Sequence, residues 1–250
     1  TPYAALGEMS ERVAEAAVET GIGLTLAPVL YQVGGCDGRD LGPGQIRFGN
    51  DPDRYARLLE EAEQAVAKLT ADCAIGVAPH SLRAVTREAL AGAAALRPDR
   101  PIHIHVAEQV AEVEEVEAAW GARPMAWLLE NHAVDQRWCL IHATQMQPSE
   151  TEAMAKSGAV AGLCPITESS LGDGIFDGVR YRAAGGSFGV GSDSNIRISL
   201  SEELRTLEYS QRLRDKGRAV LAEQERSAGR VLFEEAVRGG AQAAGRDSGA

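Results

Sequence analysis

At 250 residues, with 44% hydrophobic and 24% charged positions, the chain can bury a sizeable core and has the composition of a globular domain, which excludes a disordered or fibrous protein. Its 25 basic and 36 acidic residues leave a formal charge of −11, which argues against an electrostatic grip on nucleic acid or anionic lipid and favours a small-molecule partner. No apolar run approaches a membrane span, and residues 1–10 lack the basic start and apolar centre of a signal peptide, so a cytoplasmic location is expected.

In chain order, a helix is predicted over 7–20, followed by a strand over 21–30 (GIGLTLAPVL). The amphipathic stretch 52–69 opens on Asp51-Pro52-Asp53, a favourable helix start. A strand at 73–79 (CAIGVAP), a helix at 86–96 and a strand at 102–107 (IHIHVA) come next. Helices over 108–118 and 122–130 lead to a strand at 138–142 (WCLIH), and a helix at 148–157 to a strand at 160–164 (VAGLC). The segment 164–174 (CPITESSLGDG) reads as a glycine-rich loop, and a last strand at 187–191 (SFGVG) precedes two helices over 201–214 and 227–239.

Such alternation is the signature of a parallel sheet with crossover helices, and it predicts an α/β protein of the (β/α)8 barrel type. No internal repeat or linker divides the chain, so residues 1–250 are expected to form one domain. Six strand–helix units do not close an eight-stranded barrel; with the helical start at Thr1 and the abrupt tail 245–250, they read as strands three to eight of a longer polypeptide. The cysteines at 36, 73, 139 and 164 form no CxxC pair and are expected to be reduced, with Cys73, Cys139 and Cys164 as buried thiols in apolar runs.

In a parallel barrel, reactive groups collect at the carboxyl ends of strands. Here those ends carry His80 with Arg83, then His103, His105 and Glu108, then His142, and finally Asp193. A single strand histidine is usually a satisfied core or surface group. Four of five histidines at strand ends, with only His132 elsewhere, is a pattern. Alternation places His103 and His105 on one face of their strand. His105 and Asp193 offer the imidazole and carboxylate donors that a catalytic zinc uses, with one coordination position left to water. Glu108 can then carry protons to and from the reacting nitrogen, and His142 can orient the attacking water. Arg83, three residues after His80, can clamp a carboxylate through two parallel hydrogen bonds, although a surface arginine at a helix start is the plain alternative.

At these residues the sequence resembles the metal-dependent deaminases of the amidohydrolase superfamily: His-x-x-Glu at the fifth strand, His at the sixth and Ser-Asp after the eighth. The segments APHSLRAV (78–85), HIHVAEQ (103–109), HATQM (142–146), LGDGIF (171–176) and GSDSN (191–195) most resemble the formimidoylglutamate deiminases. The resemblance implies a metal-dependent hydrolase barrel that converts N-formimino-L-glutamate and water to N-formyl-L-glutamate and ammonia, in histidine degradation, with one Zn2+ ion. Carried over by position, His105 and Asp193 would bind zinc, Glu108, His142 and Asp193 would be catalytic, and His80 and Arg83 would bind substrate. Glu108 would protonate the departing ammonia, while Asp193 or His142 held the proton of the attacking water.

The family also implies a His-x-His pair on a first strand. His103-Ile104-His105 stands at the fifth and is not that pair, so the remaining zinc ligands are expected from a strand outside the sequence. Residues 1–250 alone are accordingly expected to bind metal poorly and to be inactive. Two other functions compete. One is a related deaminase acting on a purine or pyrimidine ring, against which stand Arg83 and an aromatic content of only 5%. The other is a non-catalytic small-molecule binding barrel, which has no need of a proton shuttle. A homodimer is compatible with the sequence.

Overall fold

The computed structural model describes residues 5–70, 72–195 and 197–247, so the predicted start at Thr1 and the last three residues of the predicted tail lie outside the described residues. The chain divides into two compact units, Thr1–Ile104 and His105–Ala250.

In the first unit, helix α1 (Glu8–Thr20) ends at Gly21, whose left-handed backbone (φ 69°) returns its N–H to the carbonyls of Ala17 and Val18. Helix α2 (Pro52–Val66) starts where Asp51 accepts a hydrogen bond from the Arg54 N–H, and Pro52 takes the first helical position, where no donor is lost. Its apolar face, Tyr55, Leu59, Ala62 and Val66, repeats at helical spacing and is buried. Helix α3 (Arg87–Ala95) is capped by Thr86, which accepts from the Ala89 N–H.

Each of the two strands predicted in this unit is divided in two. β1 (Leu24–Leu26) pairs in parallel with β3 (Cys73–Ile75), and β2 (Val29–Leu30) with β4 (Ala78–Pro79). The cause is chemical: Pro28 has no N–H to give, and the hydroxyl of Tyr55 enters the gap, donating to the Pro28 carbonyl at 3.1 Å and accepting the Ala78 N–H at 3.1 Å. Tyr55 is fully buried, and burial pushes its phenol up to about 12 against the lowering effect of the Ala78 N–H. Tyr55→Phe leaves both backbone groups without this partner. A loss of about 1–3 kcal/mol of unfolding free energy is expected, read from urea denaturation at unchanged m-value.

The division between units falls within β5 (Ile102–Val106), the first strand of a sheet ordered β5, β6 (Trp138–His142), β7 (Val160–Leu163), β8 (Ser187–Val190). β6–β7 and β7–β8 are parallel, with Cys139 opposite Val160 and Val160 opposite Ser187. Helices α4 (Val110–Trp120), α5 (Pro124–Asn131) and α6 (Pro148–Ser157) fall where amphipathic periodicity predicts them. The segment 164–174 is not the loop its composition predicts. It contains helix α7 (Pro165–Leu171), and a further helix, α8 (Gly178–Ala183), follows before β8. Two helices end the unit, α9 (Leu200–Asp215) and α10 (Ala228–Ala243). α10 lies so close to β8 that a Cβ on Gly239 would sit 2.0 Å from the Phe188 carbonyl oxygen.

Cys139 and Cys164 are buried and free, but Cys73, at the start of β3, is only half-buried, because its strand begins just beyond a turn. The one histidine away from the strand ends, His132, caps α5 among Trp127 (5.7 Å between ring centroids) and Trp138 (6.0 Å). Desolvation there holds its imidazole below the ordinary range. The depressed value favours the fold above the unfolded-chain pKa of about 6.5, and the advantage is lost as pH falls through the folded value. His132→Leu is therefore expected to flatten the fall in urea midpoint between about pH 7.5 and about pH 5. No helix of the described residues is long and apolar enough to cross a membrane.

Candidate active site

The strands of the second unit end in unusual backbone. Ala107 after β5, His142 and Ala143 at the end of β6, and Asp193 after β8 adopt left-handed conformations (φ 52°, 70°, 50° and 51°). Among the other described residues that are not glycine, only Lys216 and Ala219 do so. Such backbone costs on the order of 1 kcal/mol or more per residue and persists only where its surroundings hold it. Here Glu112 of α4, fully buried, accepts the N–H groups of Ala107 (3.1 Å) and Glu108 (2.8 Å). From the neighbouring strand end, Thr144 donates its hydroxyl to the carbonyls of Ala107 and Glu108, while the Ala143 N–H reaches the Val106 carbonyl at 3.1 Å. The chain after β5 is thus fixed from both sides, and Glu108 with it.

The side chains converge on His142, which is 1% exposed. The His105 ring lies 5.5 Å from it between centroids, tilted by 32°. Nε2 of His142 is 3.7 Å from Glu108 Oε1, and Nδ1 is 3.3 Å from Glu168 Oε1. That Glu168 oxygen also accepts the Cys164 N–H at 2.8 Å. Burial opposes the charged imidazole, but the hydrogen bond to Glu168 and the charges of Glu108, Glu168 and Asp193 outweigh it and raise the His142 pKa. Cys164 sits in the same acidic surroundings: burial, Glu168 and Asp193 all raise its thiol, so it is a poor nucleophile. Glu203 of α9, 2% exposed, accepts the Ile166 N–H at 2.9 Å through one oxygen, and burial raises its pKa.

The predicted residues thus fall into two groups. His105, Glu108 and His142 are together in the second unit, and Asp193 is near enough for its charge to act on His142. His80 and Arg83 belong to the first unit, at the turn after β4. The His80 ring packs edge-on against Tyr31 at 4.5 Å, with Nδ1 3.0 Å from the Ser81 hydroxyl. The Nε of Arg83 is buried without a hydrogen-bond partner. Glu112, Thr144, Glu168 and Glu203 were not foreseen. Of two nearby aspartates, Asp177 caps α8 and pairs with Arg180, while Asp173, in the glycine-rich stretch, is buried and accepts from the Gln109 amide at 3.1 Å.

The donor set suits a borderline divalent cation, since imidazole and carboxylate are what zinc takes outside thiolate sites. His105 and Asp193 each offer one donor of these kinds. A second group, His142, Cys164 and Glu168, places three potential ligand atoms within 4.8 Å of one another. Two hydrogen bonds to one Glu168 oxygen, with His142 Nδ1 and from the Cys164 N–H, hold Glu168 within this group.

Against known proteins, the sequence matches the amidohydrolase family over residues 1–240, and the chain belongs to that family. Within it, the chain is 49% identical to a formimidoylglutamate deiminase of Pseudomonas aeruginosa over 249 residues, 99% of this chain and 54% of that protein. The crystal structure of an amidohydrolase from Brucella melitensis matches at a TM-score of 0.96 and 55% identity, covering 98% of this chain and 55% of its own. An adenosine deaminase from Xanthomonas campestris with bound zinc shares the fold at a TM-score of 0.78 and 21% identity, over 94% of this chain and 51% of its own. The chain spans about half the length of these relatives. The fold class expected from the sequence, parallel α/β of the metal-dependent hydrolase barrel type, is borne out, as is the resemblance to formimidoylglutamate deiminases.

Proposed function

We propose that the polypeptide to which this chain belongs hydrolyses N-formimino-L-glutamate to N-formyl-L-glutamate and ammonia, a step of histidine degradation. The observation that carries this reading is the 49% identity to a formimidoylglutamate deiminase across 99% of the chain. The cluster of His105, Glu108, His142 and Asp193 supports it with a matching chemistry. In the reaction, water adds to the formimino carbon and the bond from that carbon to the terminal nitrogen breaks. His105 and Asp193 would hold a zinc ion, which supplies Lewis acidity and a lowered pKa for a bound water. Two donors do not complete a four-coordinate site, and the reading assigns the remaining histidines to the longer polypeptide.

The chain's own residues do the proton work. His142 Nε2 faces Glu108 across 3.7 Å, so a proton taken from the attacking water has two neighbouring acceptors. Glu108, part-exposed at 15% of its side chain, can reach a bound molecule and deliver that proton to the departing nitrogen. Arg83, with its buried unpartnered Nε, is assigned to a substrate carboxylate, and His80 to substrate binding beside it. The assignment of residues 1–250 to one hydrolase domain belongs to the same proposal.

Ammonia release by the full-length protein from N-formimino-L-glutamate, with and without chelator and beside guanine and cytosine, tests the reading. Chelator-sensitive release from formiminoglutamate alone is the expected result. Release from a ring instead would keep the chemistry and overturn the substrate, and no release from any of them would overturn the enzymatic reading.

A further inference from the structure

Glu168 occupies a costly place. It is 4% exposed, and a carboxylate buried that deeply loses most of its hydration, a cost that hydrogen bonds must replace. Its Oε1 has two partners: the Cys164 N–H at 2.8 Å and His142 Nδ1 at 3.3 Å. The first bond alone would make Glu168 a local device at the start of α7, reaching back to the N–H of the N-cap residue as the glutamate of a capping box does. The second bond reaches 26 residues away, to an imidazole that is itself buried and held in left-handed backbone.

The direction of that bond follows from donor inventory. An ionised carboxylate has no hydrogen to give, so the ring nitrogen facing it carries the proton. In a neutral imidazole the other nitrogen is then bare. For His142 that other nitrogen is Nε2, the one 3.7 Å from Glu108. The support is itself anchored, because Glu203 of α9 binds the Ile166 N–H and so holds the turn that carries Glu168.

We propose that Glu168 is a positioning residue: its carboxylate keeps the proton of neutral His142 on Nδ1 and leaves Nε2 free to accept a proton on the side of Glu108. The catalytic consequence rests on the hydrolysis proposed above; the tautomer does not.

The test is made on full-length protein labelled with 15N-histidine, with the His142 ring signals assigned by their loss in His142→Gln and read at a pH where the ring is neutral. The parent protein is expected to show a protonated Nδ1 and a bare Nε2. Both hydrogen bonds end on the same Glu168 oxygen, so a glutamine keeps an acceptor for both; Glu168→Ala removes it, and the signals of Glu168→Ala are expected to move toward the opposite tautomer. On N-formimino-L-glutamate, kcat is expected to fall about 10–100-fold with KM changed less than about threefold, and Glu168→Asp to recover part of the loss.

A parent protein whose His142 carries its proton on Nε2 would overturn the proposal. So would a Glu168→Ala variant that loses thermal stability but keeps the parent tautomer, which is what a mere helix cap predicts. If Glu168→Ala does not fold, Glu168→Leu, which fills more of the same space without an acceptor, decides in its place. A Glu168-dependent tautomer in a protein inactive on formiminoglutamate would sink the substrate reading and leave the positioning role standing.

Discussion

Glu108→Gln is expected to lower kcat on N-formimino-L-glutamate by about 10²–10⁴-fold, the usual contribution of a positioned proton carrier, with fold and metal content unchanged. The substitution is close to isosteric. The backbone of Glu108 is fixed by Glu112 and Thr144 rather than by its own side chain, so the loss of the carboxylate does not release the turn. What disappears is the capacity to take up and give back a proton 3.7 Å from His142 Nε2, together with the negative charge that helps raise the His142 pKa. Initial rates at saturating substrate, beside circular dichroism and a zinc count, check the result. Near-normal turnover would remove Glu108 from the reaction.

Arg83→Met is expected to raise KM for N-formimino-L-glutamate by about 10–100-fold, corresponding to the 1.5–3 kcal/mol typical of a hydrogen bond to a charged group. The change in kcat should be smaller, because the carboxylates of the substrate stay charged throughout the reaction. Arg83 stands between Leu82 and Ala84, both buried, and its Nε is already desolvated, so the fold has borne that desolvation before any anion arrives. Lysine offers one point charge in place of a planar fork, and Arg83→Lys is expected to recover only part of the affinity. Formamidine, which carries the reacting carbon without carboxylates, provides the control. A KM for formamidine that rises in parallel would show that Arg83 supports the pocket instead of recognising the anion.

The strands were legible because they are short apolar runs between punctuating residues. β6 coincides with WCLIH at both ends, bounded by Arg137 before it and the left-handed backbone of His142 and Ala143 after it. The two strands of the first unit were legible as segments but not as broken ones, since the break depends on a tyrosine that arrives from α2. α7 was hidden by its composition. Pro165 opens it, Gly172 closes it within seven residues, and its first turn is held by Glu203 from a distant helix, an interaction that no local pattern announces. The candidate site divides in the same way. Histidines at strand ends are conspicuous because they interrupt apolar runs, so His105 and His142 could be singled out, and Glu108 followed from His105. Glu112 could not. It stands in VAEVEEVEAA beside Glu114, Glu115 and Glu117, and only its place on the inward face of α4 separates it from them. Buried glutamates on amphipathic helices look like solvent-facing charge until the partner that satisfies them is known, and the same holds for Glu168 and Glu203.

The tyrosine that joins the broken strands also divides the dynamics of the first unit. The amides of Gly76 and His80 are held by the carbonyls of Leu26 and Leu30 on the adjacent strands, whereas the Ala78 amide is held by a side chain from α2. A fluctuation that lifts α2 away exposes Ala78 to deuterium while its neighbours stay protected. Exchange at this one amide therefore reports how firmly that helix is seated, and exchange on either side of it reports the ladder.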